Sequence, residues 1–254
     1  MENTPLIEMK NITKYFGGVR ALHNVDFELY PNEIVGLVGG NGAGKSTLIK
    51  ILSGAFIPDS GRIYCDGKEV HLRSPRAARE LGIETVYQDL ALTENLNVPA
   101  NIFLSRELVR GFLGNIIKIL DEKKMEEETR KLMHGLRIHI DSLDTVVRNL
   151  SGGQRQAVAL ARALYFNTKV VVMDEPTAAL GVEETRKTIN LILEFKRKGI
   201  STIVISHELR DIFDITDRIV VLKNGERMGM RITKETNEDE IVRMVMMGKE
   251  AVNS

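Results

Sequence analysis

The 254-residue chain lacks several features that define particular classes of protein, and each absence narrows the functions to consider. Its single cysteine, Cys65, permits no internal disulfide and suits a reducing compartment. Basic and acidic residues both number 35, so the chain has no cationic excess and we expect no nucleic-acid partner. No apolar run approaches the roughly 18 residues that a membrane span needs. The start, MENTPLIEMK, has no long apolar core, so we expect no signal peptide and a cytosolic protein.

Continuous apolar runs that end at glycines, acids or polar residues indicate buried strands. Three such runs are IVGLV at 34–38, VVVMD at 170–174 and STIVIS at 201–206, a pattern typical of strands covered on both faces. Helical spacing follows the first run from Lys45 to Leu52 and precedes the third from about Glu183 to Lys198. This alternation predicts an α/β fold with a parallel sheet.

Two further patterns add to this core. PDSGRIYCDGKEV, with two turn signals around a short strand, and RIVVLKNGERMGM, with Asn224–Gly225, predict antiparallel hairpins. Residues 90–150 are rich in Leu, Glu, Lys and Asn at helical spacing, which predicts an inserted, mostly helical subdomain. We therefore expect one domain, with its core at about 5–89 and 150–250.

GGNGAGKST fits the pattern G-x-x-x-x-G-K-[ST] between a buried strand and a helix, the context in which this pattern forms a phosphate-binding loop. Its glycines let successive N–H groups converge on phosphates, Lys45 supplies a positive charge, and the Ser46 hydroxyl can bind Mg²⁺. We predict nucleotide binding by the whole segment: Gly39, Gly40, Asn41, Gly42, Ala43, Gly44, Lys45, Ser46 and Thr47.

Acidic and polar side chains follow the other predicted strands. Asp174 and Glu175 stand at the carboxyl end of VVVMD, where ligands collect in open α/β sheets. Asp174 is the candidate Mg²⁺ partner, and Glu175 is free to polarise an attacking water. Taken alone, the acidic pair is most often a solvated cap, His207 a surface or packing residue, and Gln88 an isolated polar residue.

LSGGQRQAVALARAL at 150–164 predicts a second anion-binding helix start. Ser151, Gly152 and Gly153 precede small apolar residues at helical spacing, which leaves free backbone N–H groups at the positive end of the helix dipole. The chain therefore has two candidate phosphate sites but one set of catalytic carboxylates.

In this order, the phosphate loop, Gln88, LSGGQ, VVVMDEP and His207 resemble the ATP-binding cassette (ABC) family of transport ATPases over essentially the whole chain. The resemblance implies a P-loop NTPase (RecA-like) core with an antiparallel β subdomain and an α-helical subdomain. It also implies roles for three residues. Phe16 stacks on adenine, with an ordinary strand aromatic as the alternative. Gln88 senses Mg²⁺ and the attacking water, and His207 contacts the γ-phosphate as a catalytic residue.

The resemblance also explains the second phosphate site. In this family two cassettes face head to tail, so Ser151, Gly152, Gly153 and Gln154 of one copy close over the ATP of the other. ATP and Mg²⁺ are the implied cofactors, and a second copy of the chain is the implied partner. Further implied partners are integral membrane permease subunits and, indirectly, an extracytoplasmic sugar-binding protein. The location implied is the inner face of the cell membrane.

Two features refine the resemblance. SPRAARELGIETVYQDLALTENLNVPANIFLSREL resembles cassettes of monosaccharide importers, whereas FGGVRAL also occurs in branched-chain amino-acid importers. Cassette ATPases of DNA repair and translation remain a third possibility, although the chain lacks their coiled-coil arms and second cassette. The family usually has Ser-Ala-Leu-Asp where this chain has Ala178 to Gly181, so either contact across the dimer changes here or backbone groups make it.

Overall fold

The computed structural model describes residues 4–112 and 117–248. Within these residues the chain forms two compact units. The first unit comprises 4–88, 168–178 and 192–248, and the second comprises 89–167 and 179–191.

The strands, in chain order, are β1 (Ile7–Phe16), β2 (Val19–Leu29), β3 (Ile34–Val38), β4 (Ser60–Cys65), β5 (Lys68–Val70), β6 (Ile83–Val86), β7 (Val109–Phe112), β8 (Ile117–Leu120), β9 (Val170–Asp174), β10 (Ser201–Ile205), β11 (Arg218–Lys223) and β12 (Glu226–Ile232). The α-helices are α1 (Lys45–Leu52), α2 (Pro75–Glu80), α3 (Val98–Ile102), α4 (Glu122–Gly135), α5 (Gly152–Leu164), α6 (Val182–Arg197), α7 (Leu209–Ile215) and α8 (Glu238–Met247).

A six-stranded sheet in the order β12-β11-β3-β10-β9-β6 forms the centre of the first unit. The five strands from β11 to β6 run parallel, and β12 pairs antiparallel at one edge. Every residue of β3 and of β10 is buried, as the uninterrupted apolar runs predicted. The predicted α/β core with its parallel sheet is confirmed.

A second, antiparallel sheet in the order β2-β1-β4-β5 shares the apolar core of the first unit. Met9 and Phe27 of this sheet belong to the same buried cluster as Leu37 of β3 and Leu48 of α1. Alternate residues of β2 face this core, which fits a sheet with one covered face.

The β11–β12 hairpin holds the predicted phosphate loop, residues 39–47, in place. Asn224 and Gly225 have φ of 50° and 77°, as a two-residue type I′ turn requires. The N–H of Gly225 donates to the Ala43 carbonyl at 3.0 Å, and the His23 N–H donates to the Gly225 carbonyl at 2.7 Å. This turn was predicted from the sequence, but its contact with the loop was not.

The second unit contains the expected helices together with a two-stranded ribbon that the sequence did not predict. Beside α3, α4 and α5, the ribbon β7–β8 pairs antiparallel from Val109↔Leu120 to Phe112↔Ile117. Asn101, fully buried, accepts from the Thr93 N–H at 2.7 Å and donates to three backbone carbonyls, so it organises the segment before α3. The unit also extends past the expected boundary at 150, because α5 packs on α3.

Over residues 4–112 and 117–248, no helix combines the length and the apolar character that crossing a membrane requires.

Candidate active site

The carboxyl ends of three neighbouring parallel strands, β3, β10 and β9, bring most of the predicted site residues to one edge of the sheet. Ile205, the last residue of β10, pairs with Leu37 of β3 on one side and with Asp174 of β9 on the other. The segments that follow therefore start side by side: the phosphate loop after β3, His207 after β10, and Glu175 after β9. Open α/β sheets bind ligands at this edge.

The phosphate loop has glycines where a side chain would clash and where the backbone must stay open. A Cβ on Gly39, at φ 153°, would lie 2.2 Å from the Leu222 carbonyl oxygen. One on Gly44, at φ 102°, would lie 2.7 Å from Cδ2 of Leu22. By contrast, Gly40 and Gly42 have open space beside them. The first pair fixes the loop against the β11–β12 hairpin and β2, and the second pair leaves its amides accessible.

Lys45 begins α1 and turns its amine back over the loop. Its Nζ donates to the carbonyls of Gly39 at 2.6 Å and Gly40 at 3.1 Å. Burial lowers the pKa of Lys45, while the charges of Glu175 and Asp174 oppose that shift. A partly desolvated cation in a glycine-rich loop is suited to polyphosphate, because the anion returns the solvation that burial removed. Next to it, Asn41 and Ser46 are exposed and Thr47 is half-buried.

Asp174 and Glu175 form an anionic pair beside Lys45. Burial raises the pKa of Asp174, and the neighbouring charge of Glu175 raises it further, whereas Lys45 acts in the opposite direction. Burial and a neighbouring like charge both destabilise the ionised carboxylate, and a bound cation would stabilise it. The donors here are carboxylate and hydroxyl oxygens, which are the ligands that Mg²⁺ prefers, so the residues present fit this ion. Among the described residues, no cluster of three or more acidic, histidine or cysteine groups could hold a metal.

Glu175 contacts His207 directly. The Oε2 atom of Glu175 lies 2.8 Å from Nδ1 of His207, and the carboxylate is 15% exposed. The hydrogen bond and charge of Glu175 raise the pKa of His207. The sequence predicted both residues, but it predicted a Glu175 free to act on water. In the structure its carboxylate is instead engaged by the histidine, because β9 and β10 are adjacent and Glu175, at φ 54°, turns the chain at the strand end.

Two predicted residues lie at the periphery of this unit. Gln88 is exposed, two residues beyond β6, which is the neighbour of β9. Phe16 ends β1 and is 44% exposed. It packs edge to face on Phe56 at 5.2 Å, and Nζ of Lys14 lies 5.7 Å from its centroid. The structure gives neither residue a contact with Glu175 or His207.

The helix start at Ser151 belongs to the second unit, and three of its amides, which the sequence suggested to be free, donate within the chain. The Ser151 hydroxyl accepts from the Gln154 N–H at 3.1 Å, and Gln154 Oε1 accepts from the Ser151 N–H at 2.9 Å. This reciprocal capping box satisfies two donors of α5. The Gly153 N–H donates to Glu184 Oε1 at 3.4 Å. Glu184 is a residue that the sequence analysis missed, although its place three residues after Gly181 is the usual place of a helix-capping glutamate.

The loop after Glu175 carries one more polar contact that was missed. The Thr177 hydroxyl donates to Asp211 Oδ2 on α7 at 2.6 Å. In the second unit, the Gly181 N–H donates to Glu184 Oε2 at 3.2 Å. The Gly181 amide thus contacts Glu184 within the chain, and the contact of this loop across the dimer stays a prediction.

Known proteins resemble this chain in sequence and fold. Residues 22–178 match the ABC transporter family. The chain is 47% identical over 240 residues to the xylose/arabinose import ATP-binding protein XylG of Sulfolobus acidocaldarius, covering 94% of this chain and 93% of that protein. It is 43% identical over 252 residues to the fructose import ATP-binding protein FrcA of Rhizobium meliloti, covering 98% and 97%.

Solved structures agree with these relatives. A nucleotide-free ATP-binding cassette from an ABC transporter matches with a TM-score of 0.82 at 28% identity, covering 98% of both chains. A dimeric bacterial ABC transporter cassette matches with a TM-score of 0.75 at 25% identity, covering 91% of this chain and 100% of that one. The P-loop NTPase core that the family resemblance implied is thereby confirmed, and the chain belongs to the ABC transporter family of ATP-binding cassettes.

Proposed function

We propose that this protein is the ATP-hydrolysing subunit of an importer that takes up a monosaccharide. The proposal of ATP hydrolysis rests on one observation: the phosphate loop, Asp174, Glu175 and His207 converge at one edge of the sheet. The transport part rests on the similarity to the xylose/arabinose and fructose import proteins over more than nine-tenths of both chains. We further propose that both compact units together make one cassette domain.

In the proposed site, residues 39–47 bind the triphosphate of ATP. Their amides surround the phosphates, and Lys45 transfers its hydrogen bonds from the Gly39 and Gly40 carbonyls to phosphate oxygens. The ring of Phe16 stacks on adenine, because nearly half of its surface is exposed beside the loop between β1 and β2. The side chains proposed to hold Mg²⁺ are Asp174, Ser46 and Gln88. When bound, this ion neutralises charge that develops on the phosphates.

Hydrolysis needs a base for the attacking water, and Glu175 is the proposed base. Its Oε2 atom contacts His207, which leaves Oε1 as the proposed acceptor of the proton from water. The water oxygen then bonds to the γ-phosphorus, the bond to ADP breaks, and Glu175 holds the water's proton. His207, whose pKa the contact with Glu175 raises, donates a charged hydrogen bond to the γ-phosphate.

The signature residues Ser151, Gly152, Gly153 and Gln154 are proposed to serve the nucleotide of a second copy. In a head-to-tail pair, each composite site combines the phosphate loop of one copy with the α5 N-terminus of the other. The other proposed partners are two membrane permease subunits and, through them, an extracytoplasmic sugar-binding protein, without any nucleic acid. This assembly would place the chain at the cytoplasmic face of the membrane.

The function is tested by purifying the tagged chain from native membranes in mild detergent and identifying what copurifies. Equal copies of a polytopic membrane protein are expected. The purified complex is then placed in vesicles with its binding protein, and ATP hydrolysis is measured with ribose, xylose, arabinose or fructose, and with leucine or valine as the control set. Stimulation by a sugar supports the proposal. Stimulation by the amino acids alone, or recovery of soluble chains alone, refutes sugar import.

A further inference from the structure

The carboxylate of Glu184 accepts hydrogen bonds from two backbone amides of the second unit. Its Oε2 accepts from the Gly181 N–H at 3.2 Å, and its Oε1 accepts from the Gly153 N–H at 3.4 Å. The first contact caps α6, whose first turn begins where the Gly181 carbonyl accepts from the Thr185 N–H at 2.9 Å. The second contact reaches the start of a different helix, α5, so one side chain joins the two helix starts.

The packing around Gly153 supports a specific contact. A Cβ on Gly153 would lie 2.9 Å from Cγ and 3.1 Å from Oε1 of Glu184. A Cβ on Gly152 would lie 3.7 Å from Cδ2 of Leu180. The two signature glycines therefore form the surface on which Leu180 and Glu184 rest. A side chain at Gly153 would displace the carboxylate.

The Gly153 amide is one of the donors that a helix N-terminus offers to phosphate. Gln154, the next residue, already gives its N–H to the Ser151 hydroxyl. In this structure the Glu184 carboxylate occupies the place of an anion at the Gly153 amide. A phosphate that approaches the same amide must displace the carboxylate, and it meets the charge of Glu184 at short range.

We propose that Glu184 is a positioning residue that holds the signature amide of Gly153 until the partner copy's ATP displaces it. The inference rests on the proposed dimeric function. It assigns the loop at 179–181 a role: among the described residues, the hydrogen bonds that link this loop to α5 run through Glu184, beside the packing of Leu180 at Gly152. Release of Gly153 frees the Oε1 atom of Glu184 and loosens that tie, so phosphate binding is coupled to the loop.

The test uses Glu184→Gln, which keeps the size of the side chain and removes its charge. The matched control is Glu183→Gln. Glu183 is the adjacent acid of the same helical turn, it pairs with Lys187 at 2.7 Å, and no contact joins it to Gly153 among the described residues. Both changes are made in a Glu175→Gln background, so that bound ATP is not consumed, and dimer formation is followed by light scattering against Mg-ATP concentration.

We expect Glu184→Gln to lower the ATP concentration at half-dimerisation by about two- to fivefold, the effect of one charge at a helix N-terminus. Glu183→Gln should stay within the error of the parent. The difference should shrink as salt rises, because salt screens the charge. An unchanged or raised midpoint for Glu184→Gln, or an equal shift in the control, refutes the proposal. A parent that stays monomeric at saturating Mg-ATP refutes the dimeric function instead, together with what rests on it.

Amide hydrogen exchange without nucleotide gives a second readout. Exchange at Gly153 should be faster in Glu184→Gln than in the Glu183→Gln control, whereas a carboxylate that only caps α6 would change exchange near Gly181 alone. If Glu184→Gln does not fold, Glu184→Asp replaces it. The shorter side chain keeps the charge but cannot span both amides, so the same faster exchange at Gly153 is expected, and its absence refutes the proposal.

Discussion

Replacing Glu175 by glutamine separates its chemistry from its shape. The amide has the size of the carboxylate and still offers an oxygen to Nδ1 of His207, which lies 2.8 Å from Glu175 Oε2. It cannot take up a proton from water. We therefore expect the variant to fold, to bind ATP and to fail in hydrolysis.

The size of the loss follows from the role. Removing a general base costs about 10²- to 10⁴-fold in rate, which corresponds to about 3–5 kcal/mol of transition-state stabilisation. The effect on folding is much smaller. His207 is 64% exposed, so its ion pair with Glu175 contributes less than about 1 kcal/mol.

The contribution of the Glu175–His207 ion pair to folding stability depends on pH in a definite direction. Glu175 raises the pKa of His207 above its ordinary value of 6.5. The pair therefore stabilises the folded chain fully below pH 6.5, and the contribution is lost as pH rises through the raised pKa. The difference in melting temperature between the parent and Glu175→Gln should be largest below that pH and should fall above it. The nuclear magnetic resonance titration of His207 should move to lower pH in the variant.

The matched control is Glu208→Gln. Glu208 Oε1 lies 3.6 Å from the other ring nitrogen of His207 and its side chain is 67% exposed. The control removes a carboxylate near the same histidine but not at the carboxyl end of β9. Its ATPase rate should stay within about fivefold of the parent, since an exposed pair is worth less than about 1 kcal/mol. A Glu175→Gln enzyme that keeps a tenth or more of the parent rate, or a Glu208→Gln enzyme that loses as much, refutes the assignment of the base.

Two further predictions concern binding and stability. Lys45→Met should abolish the rise in melting temperature that ATP causes. It should leave the melting temperature without ATP nearly unchanged, because burial already disfavours the charged amine and lowers its pKa. A variant that keeps the rise with ATP would contradict the role of Lys45. Arg218→Ala should lower the free energy of unfolding in urea by about 3–5 kcal/mol, because it leaves Glu33 as an unpaired carboxylate where both side chains are 11% exposed. The exposed pair of Arg76 with Glu80 is the control, and Arg76→Ala should cost less than about 0.5 kcal/mol. Equal losses in the two variants would contradict the burial argument.

The accuracy of the predictions differed between the two units. IVGLV, VVVMD and STIVI became β3, β9 and β10 because a strand covered on both faces needs an uninterrupted apolar run, and the sequence displays that run. The ribbon β7–β8 was missed because it carries no such signal: Val109 and Leu120, which pair with each other, are both about half exposed. The extent of the second unit was missed because it depends on the packing of α5 on α3.

The site shows a similar division. Glycine positions and the acids at strand ends were predictable because their chemistry depends on residue type and local spacing. Two contacts were not predictable: the pairing of Glu175 with His207, and the hydrogen bond from the Gly153 amide to Glu184. The partners in each pair are about 30 residues apart in the sequence and meet only when strands and helices pack.

The sequence alone therefore determined which residues are candidates to bind phosphate, hold a cation and act as a base, because those properties belong to single side chains and short loops. The tertiary structure decided which of these groups are engaged with one another. The pairing of β10 with β9 brings Glu175 into contact with His207, and the packing of the α6 start against the α5 start lets Glu184 accept from the Gly153 amide. Hydrogen bonds act over about 3 Å, so they are determined by the packing that brings distant segments into contact.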